Sequence, residues 1–596
     1  MSEAKDSTTS SMGPGSSSEK DAVHMEDVGC AESVHHNNPV GHDAAGLTGY
    51  WKSYRLLGSL LAIVLLGNNL FIGYSMPVNI LSVINGDIGP SPNIYLVTMC
   101  FTLVSGVLLL VVGRISDIVG RRYFMIGGQA FAVIGSIVAA KANSIETVIG
   151  GTVLMAVAGA GQQLYPLLVQ ELVPNKHRGL AQGAISIGVL PTLGFGPAIA
   201  RSFVESGAGW RWCYWLNAIA GGVSLILFAS CYFPPDFHMI NSDMTRMQEL
   251  KELDYGGLIL YSAGLVLVVL AFLWGEGTYP WDSAHVIATL VIGGLTLIGF
   301  GVYETYMPLK QPLLPVKLLK IRNLVACVIV GSVGQMVWYA LNVLWPTQIT
   351  QFYTTDNILV GIMSSTTGVA LACGEFIFSP LLRLVGKPRW QLVLSSIGTA
   401  LFCCLMGLNN QNTKGFALAC TILSGLSVGW IELVATVVVG LVVPPEDIGV
   451  AQGFFASTRA VTGTVATSIY ICIYSNRLST FLPEDVIPAV EKAGLPSSST
   501  TQLLEAVAQG VTSAIDKVPG MTDAIKAALD LATKHAYARA FKIVYLSSLG
   551  FAGLAVIAAF FVSDVDKYMT NFVNKTVDRS QAPGREKSSD DGTTAV

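Results

Sequence analysis

Fourteen apolar runs, each about the length a helix needs to cross a bilayer, alternate with short polar segments between residues 56 and 563. They lie near 56–79, 93–113, 123–142, 147–170, 179–201, 212–233, 255–274, 285–306, 323–346, 358–382, 389–408, 415–442, 449–474 and 541–563. The pattern predicts an all-α polytopic membrane protein. An even number of spans puts both termini on one side, and charge decides which. The loops from even to odd spans hold fourteen Lys and Arg, among them Arg114, Arg121, Arg122, Lys176, Arg178, Arg383 and Lys387. The short opposite loops and their edges hold four: Lys141, Arg201, Arg211 and Lys414. Positive charge is retained in the cytoplasm during insertion. The richer face and both tails are therefore expected there.

The flanks and one loop depart from this rhythm. Residues 1–50 are rich in Ser, Gly, Asp and Glu, and too poor in apolar groups to fold, so a disordered tail is expected. No short apolar region with a cleavage site follows, so no cleaved signal peptide is expected and the first span itself directs insertion. Residues 475–540 make one long outer connection. Short helices are expected over 483–494 and 499–510, the second opening on a Ser499–Gln502 capping box. A third, from about Met521, runs into the last span. Past Val562 the tail is polar and expected to be disordered. Asn574, Lys575 and Thr576 fit a glycosylation acceptor, but on this topology they face the cytosol.

Composition narrows the class. Of 596 residues, 52% are hydrophobic and 12% charged, about half the charge of ordinary soluble proteins. The bilayer is the natural solvent for such a chain. Net charge is −4 and no basic run occurs, so nucleic acid is not an expected partner. The ten cysteines are Cys30 and nine that lie in or beside apolar runs, none in the long outer loop, which argues against a disulfide framework.

The turn between the second and third spans reads GRISDIVGRR, from Gly113 through Asp117, Gly120 and Arg121 to Arg122. Gly113 and Gly120 permit close approach or a sharp turn, and Asp117 can accept charge-assisted hydrogen bonds. A plain positive loop explains the arginines but not the G-x-x-x-D-x-x-G-R-R spacing. That spacing resembles the loop between helices 2 and 3 of the major facilitator superfamily. The resemblance implies two pseudo-symmetric six-helix halves around a central site. It also makes Asp117 and Arg121, with Gly113, Gly120 and Arg122, a latch at the cytoplasmic ends of the halves.

An internal repeat agrees. VPNKHRGLAQG at 173–183 and VPPEDIGVAQG at 443–453 match at six of eleven positions, 270 residues apart. A weaker echo sets Gly386 and Lys387 against Gly120 and Arg121 at an offset of 266, with Arg383 replacing Asp117. The expected organisation is a tail over 1–50, an N-terminal half over 51–234, and an inserted helix pair with its linkers over 235–321. A C-terminal half over 322–564, holding the outer loop, and a tail over 565–596 complete it.

Further stretches narrow the branch. Gly196 and Pro197 resemble the Gly-Pro motif of proton-driven exporters, although Thr192, Ala200 and Arg201 stand where glycines are expected. GWRWCYWLN at 209–217 resembles the opening of the sixth span in fourteen-span drug:proton antiporters. With ELVPNKHRG at 171–179 and YFPPDF at 232–237, the chain resembles the fungal trichothecene efflux pump family, which sits beside the siderophore-iron transporters. The resemblance covers about residues 45–565 and implies a plasma-membrane exporter of a secondary metabolite or xenobiotic, coupled to protons. One departure is Met155, which stands where drug antiporters carry an arginine before the Gly159–Gly161 stretch. Either another residue carries coupling, or coupling differs.

A charge inside a span is costly enough to be a functional candidate. Glu375, Glu432 and Arg459 qualify as proton-coupling candidates, with structural hydrogen bonds or a Glu432–Arg459 salt bridge as the plain alternative. Subtracting 270 sets Glu432 opposite Gln162. In the ninth span Gln335, Trp338, Asn342 and Trp345 recur at steps of 3, 4 and 3, one face of a helix. Amides beside large rings suit a small amphipathic organic substrate; a helix seam is the plain alternative. Asn68 and Asn79 in the first span, with Gln162 and Gln163 in the fourth, are expected to add polar lining. No cofactor or metal site is expected. No phosphate-binding loop and no hydrolase motif occurs, which disfavours an ATP-driven pump or an enzyme. Uptake of a ferric siderophore is the nearest alternative, and a transporter-like nutrient sensor a more distant one.

Overall fold

In a computed structural model, residues 42–43, 53–234, 251–277, 279–309, 311–444, 447–509, 518–565, 568–570 and 572–573 are described. Fourteen long helices follow in order. They are α1 (Tyr54–Val78), α2 (Leu96–Val119), α3 (Arg121–Ala140), α4 (Ile145–Leu172), α5 (Asn175–Glu205), α6 (Arg211–Cys231), α7 (Tyr255–Gly277) and α8 (Ala284–Tyr306). Then come α9 (Arg322–Phe352), α10 (Asn357–Leu384), α11 (Pro388–Leu408), α12 (Lys414–Val442), α13 (Ile448–Lys492) and α14 (Asp523–Phe560). Thirteen of them are long and apolar enough to cross a membrane. The exception, α13, carries Ser457, Thr458, Arg459, Thr462, Thr464 and Thr467 where a lipid-facing helix would be apolar. It nonetheless runs through the bundle between α2, α9 and α14, so its polar groups meet protein rather than lipid. Peripheral helices show the reverse: Ile226, Leu295, Ile298, Leu394 and Ile557 are all more than half exposed.

Helices α1 to α6 pack on one another, as do α9 to α14. The halves meet along two seams, α2 with α13 and α5 with α10. Both seams are made by the repeat. A Cβ on Gly113 would lie 2.6 Å from Gly449 O, and one on Gly453 would lie 3.0 Å from Leu109 O. On the other seam a Cβ on Gly183 would lie 2.7 Å from Ser379 Cβ, and one on Gly179 would lie 3.1 Å from Leu382 Cδ2. Glycines four residues apart let backbones touch where the bilayer supplies no hydrophobic drive between helices. The GLAQG and GVAQG copies are thus the contact surfaces of the two halves. Helices α7 and α8 pair with each other, and α7 leans on α13, where Tyr261 Oη and Ser457 Oγ are 2.6 Å apart. The linker after α8 touches both halves: Arg114 donates to Gln311 (2.6 Å) and Lys317 pairs with Asp447 (2.7 Å).

Several expectations are corrected. No separate helix starts at Pro483, because α13 runs unbroken through Pro483 and Pro488 to Lys492. A proline removes one helical hydrogen bond, and at this end of the helix water can satisfy the freed carbonyl. The following helix begins at Thr500, and α14 starts at Asp523. These pieces form a cap with its own core of Val486, Val490, Leu495, Leu503, Ile525 and Leu529. The segment past Val562 is ordered in part. Val565 is buried, and Thr570 accepts from Lys176 N at 2.9 Å. His42–Asp43 pairs antiparallel with Phe572–Val573; the rest of the N-terminal tail and Asn574 lie outside the described residues.

Candidate functional site

Eight helices, α1, α2, α4, α5, α9, α10, α12 and α13, enclose a cavity of about 450 Å³. That volume lies within the range of small-molecule sites. Its lining residues occupy the middle of the bundle and the half leading to the cap, such as Tyr74 and Asn79 on α1 and Asn342 and Pro346 on α9. Toward the α2–α3 turn it is closed by two amides and a guanidinium reaching across the halves. Gln170 donates to Thr436 O (3.0 Å), Gln452 donates to Gln170 Oε1 (3.2 Å), and Arg178 donates to Gly440 O (2.8 Å). Helix α4 is interrupted at Gln163–Leu164 and α10 at Ser365, which bends both around the cavity.

Three charged side chains line the cavity among the described residues: Glu375, Glu432 and Arg459. Arg459 on α13 forms a short ion pair with Glu432 on α12 and donates to Gln335 Oε1 on α9 at 2.6 Å. Its guanidinium also lies 4.9 Å from the Phe455 ring centre. Glu375 on α10 is buried and has no cation within bonding distance among the described residues. It accepts from Ser186 and, at 3.4 Å, from Gln182, both on α5 of the other half. The walls are aromatic: Tyr74 stacks on Phe101 at 4.7 Å, and Trp338 meets Tyr339 edge-on at 5.3 Å.

The expected lining divides. Gln335, Trp338, Asn342, Asn79 and Gln163 reach the cavity. Trp345 does not; it is fully buried and donates to Met363 O at 3.0 Å. Ten residues after Gln335 a helix at 3.6 residues per turn has rotated about 80° off the starting face, which turns Trp345 toward α10. Asn68 instead clamps α1 to α5, donating to Gly188 O (3.0 Å) and accepting from Thr192 (2.7 Å). Gln162 points away from the cavity and donates to Gln129 at 2.9 Å. Met155 likewise sits in the N-terminal half's interior, its sulfur 3.3 Å from Ser136 Oγ and 3.6 Å from Asn217 Nδ2.

A sequence profile described as "Fungal trichothecene efflux pump (TRI12)" matches residues 37–594. The chain belongs to that family. It is 28% identical over 541 residues to the trichothecene efflux pump TRI12 of Fusarium sporotrichioides, covering 90% of each protein. It is 32% identical to the MFS-type transporter prx5 of Penicillium rubens, over 74% of this chain and 80% of that one. A solved structure of XylE, a proton:xylose symporter of the major facilitator superfamily, superposes with a TM-score of 0.51 at 12% identity. The match covers 87% of this chain and 98% of XylE. The fold is that of the major facilitator superfamily, and the protein is a multi-pass transporter rather than an enzyme.

The α2–α3 turn of this efflux-pump family member is held from within its own half. Gly120 takes φ of 101°, which a side chain would oppose. Arg121 is buried and grips Glu171 on α4 with Nη2 at 2.8 Å and Nε at 3.1 Å. Arg122 donates to Ala229 O (2.7 Å) and stacks 3.8 Å from the Phe233 ring centre. Among the described contacts neither arginine is seen to reach the other half; Gln170, Arg178 and Gln452, which sequence reasoning passed over, make cross-half bonds at this end. Gln452 was signalled by its place in the repeat. The Asp117 side chain lies outside the described residues. Arg121→Gln removes the buried guanidinium that Glu171 pairs with, and the expected loss is about 3–5 kcal/mol of stability. Thermal unfolding of the purified variant measures it; a melting point unchanged from wild type contradicts the pairing.

Proposed function

We propose that this chain is a proton-coupled antiporter that exports a small, amphipathic fungal secondary metabolite or related xenobiotic across the plasma membrane, with both termini in the cytoplasm. The observation that carries the reading is the Glu432–Arg459 pair inside an aromatic cavity. A pair facing a cavity has two exchangeable partners. With Glu432 ionised and the cavity open to the cytoplasm, a substrate hydroxyl donates to its carboxylate or to Gln335 Oε1; a proton taken up by Glu432 on the outer side displaces the substrate there. With the halves turned again, the proton leaves Glu432 toward the cytoplasm and the pair with Arg459 reforms. The rings of Tyr74, Phe101, Trp338 and Tyr339 supply apolar contact area, and Asn79, Gln163 and Asn342 supply orientation. Glu375 is a second acceptor at the α5–α10 seam, and the α2–α3 turn with Asp117 is the hinge end of the cycle.

Expression in a yeast lacking its own drug pumps tests the function. Resistance to a trichothecene, lost on adding a protonophore, is the expected result. Rescue of growth on chelated iron, with no change in resistance, reassigns the protein to import of a ferric siderophore. Orientation has its own check. Protease added to intact spheroplasts is expected to cut the 475–540 cap and spare tags on both termini; cleavage of either tag contradicts the topology.

A further inference from the structure

A second cavity, of about 280 Å³, opens on the outer face of the N-terminal half between α3 and α4. Tyr123, Phe124 and Phe131 line one wall, Val157 and Ala158 the other, and Leu66 of α1 closes the base. No lining residue is charged. Gly127 and Gly128 form an open stretch where an added Cβ would meet nothing within 4 Å. Tyr123 and Phe131 are half exposed, as on a surface that faces lipid.

The floor is not apolar. Gln129 and Gln162 lie there, both at least 97% buried at 0% and 3% exposure. Their amide orientation is fixed by a chain of bonds that ends on a backbone carbonyl, which can only accept. Ser224 donates to Ala62 O (3.2 Å), so it accepts from Gln129 Nε2 (2.8 Å), and Gln129 Oε1 accepts from Gln162 Nε2 (2.9 Å). This leaves Gln162 Oε1 as an acceptor in the groove with no described protein donor. An unmatched carbonyl in an apolar recess favours a ligand that brings a donor. The next residue, Gln163, lines the central cavity. The two cavities are thus lined by neighbouring residues of α4, at its break before Tyr165.

We propose that this groove is a loading subsite for the exported compound, reached from the membrane leaflet at the α2–α3 end, and that it selects uncharged amphipathic molecules bearing a hydroxyl donor. The proposal rests on the export reading for the identity of its occupant. The absence of lining charges excludes cations and anions, the Gln162 carbonyl takes the hydroxyl, and the rings cover the apolar body. The interruption of α4 is the place where the compound passes to the central cavity.

Photolabelling of the full-length protein in lipid nanodiscs tests the site with an octanol carrying a diazirine and its hydroxyl-free octane analogue. Saturable labelling of peptides containing Tyr123–Phe131 and Val157–Gln162 by the alcohol is expected. It should be at least about fivefold weaker for the octane and in Gln162→Leu, as expected for one lost neutral hydrogen bond. Gly128→Leu, with Gly127→Leu as a second filler, is expected to abolish the labelling and remove most trichothecene efflux. Equal labelling by alcohol and octane identifies a lipid-filled seam and overturns the proposal. So does a filled groove that exports at the wild-type rate. If wild-type protein exports nothing, the export reading fails by itself, and the alcohol–octane comparison still decides whether the groove selects a hydroxyl.

Discussion

Glu432→Gln is expected to abolish concentrative, pH-dependent efflux while leaving downhill exchange intact. The amide keeps the shape of the side chain and can still accept from Arg459, so the cavity stays assembled. What is lost is the proton. One charge moved across 100 mV is worth about 2.3 kcal/mol, or roughly a fiftyfold substrate gradient, and that driving force disappears with the titrating group. Proteoliposomes loaded with substrate separate the two activities. A Gln variant that still pumps uphill with an unchanged pH profile removes Glu432 from the mechanism and leaves Glu375, at the α5–α10 seam, as the carboxylate that couples.

Gly113→Val is expected to stop transport by a different route. Its Cβ would lie 2.6 Å from Gly449 O and within 3.4 Å of Gly453 Cα, all backbone and unable to yield. Helices α2 and α13 then cannot meet, and the closed state at the turn end is lost. The N-terminal half has no such clash at this position, so the protein should still reach the membrane. Thiol labelling of a cysteine placed at Gln170 reads the outcome. It should be shielded in wild type and open to reagent from the cytoplasmic side in the variant. Normal transport in Gly113→Val contradicts the glycine seam. Gly183→Val is the matching change at α5–α10, where Ser379 stands 2.7 Å from the added carbon.

The fold was largely legible because its cause is coarse. Apolar run length gives the helices, and loop charge gives an expected orientation. The repeat gave the two halves, yet its glycines became meaningful only when each was seen against the opposite half. The charged residues of the site were legible for an energetic reason: Glu375, Glu432 and Arg459 are costly in apolar runs and need a polar reason to be there. Aromatic lining was not. Tyr74, Phe101 and Tyr339 look like any ring in a membrane span, and only packing shows that they face a cavity. Amides misled in the other direction. Asn68 and Gln162 are polar, but their partners are a backbone carbonyl and another amide, which no single-chain pattern reveals. The thirteenth span was found by its length and place in the repeat although its composition is too polar to cross lipid alone. The cap was misread because the thirteenth span was ended near 474 and a new helix begun at Pro483, where α13 in fact runs on to Lys492.

Purified protein in proteoliposomes, with an imposed proton gradient and a radiolabelled trichothecene as substrate, tests the central claim most directly. The account predicts that a proton gradient directed oppositely to substrate movement drives the compound above its equilibrium concentration, that the accumulation collapses with a protonophore, and that Glu432→Gln only equilibrates it. Transport by the wild-type protein that reaches equilibrium and stops there, with or without the gradient, would contradict proton-coupled export.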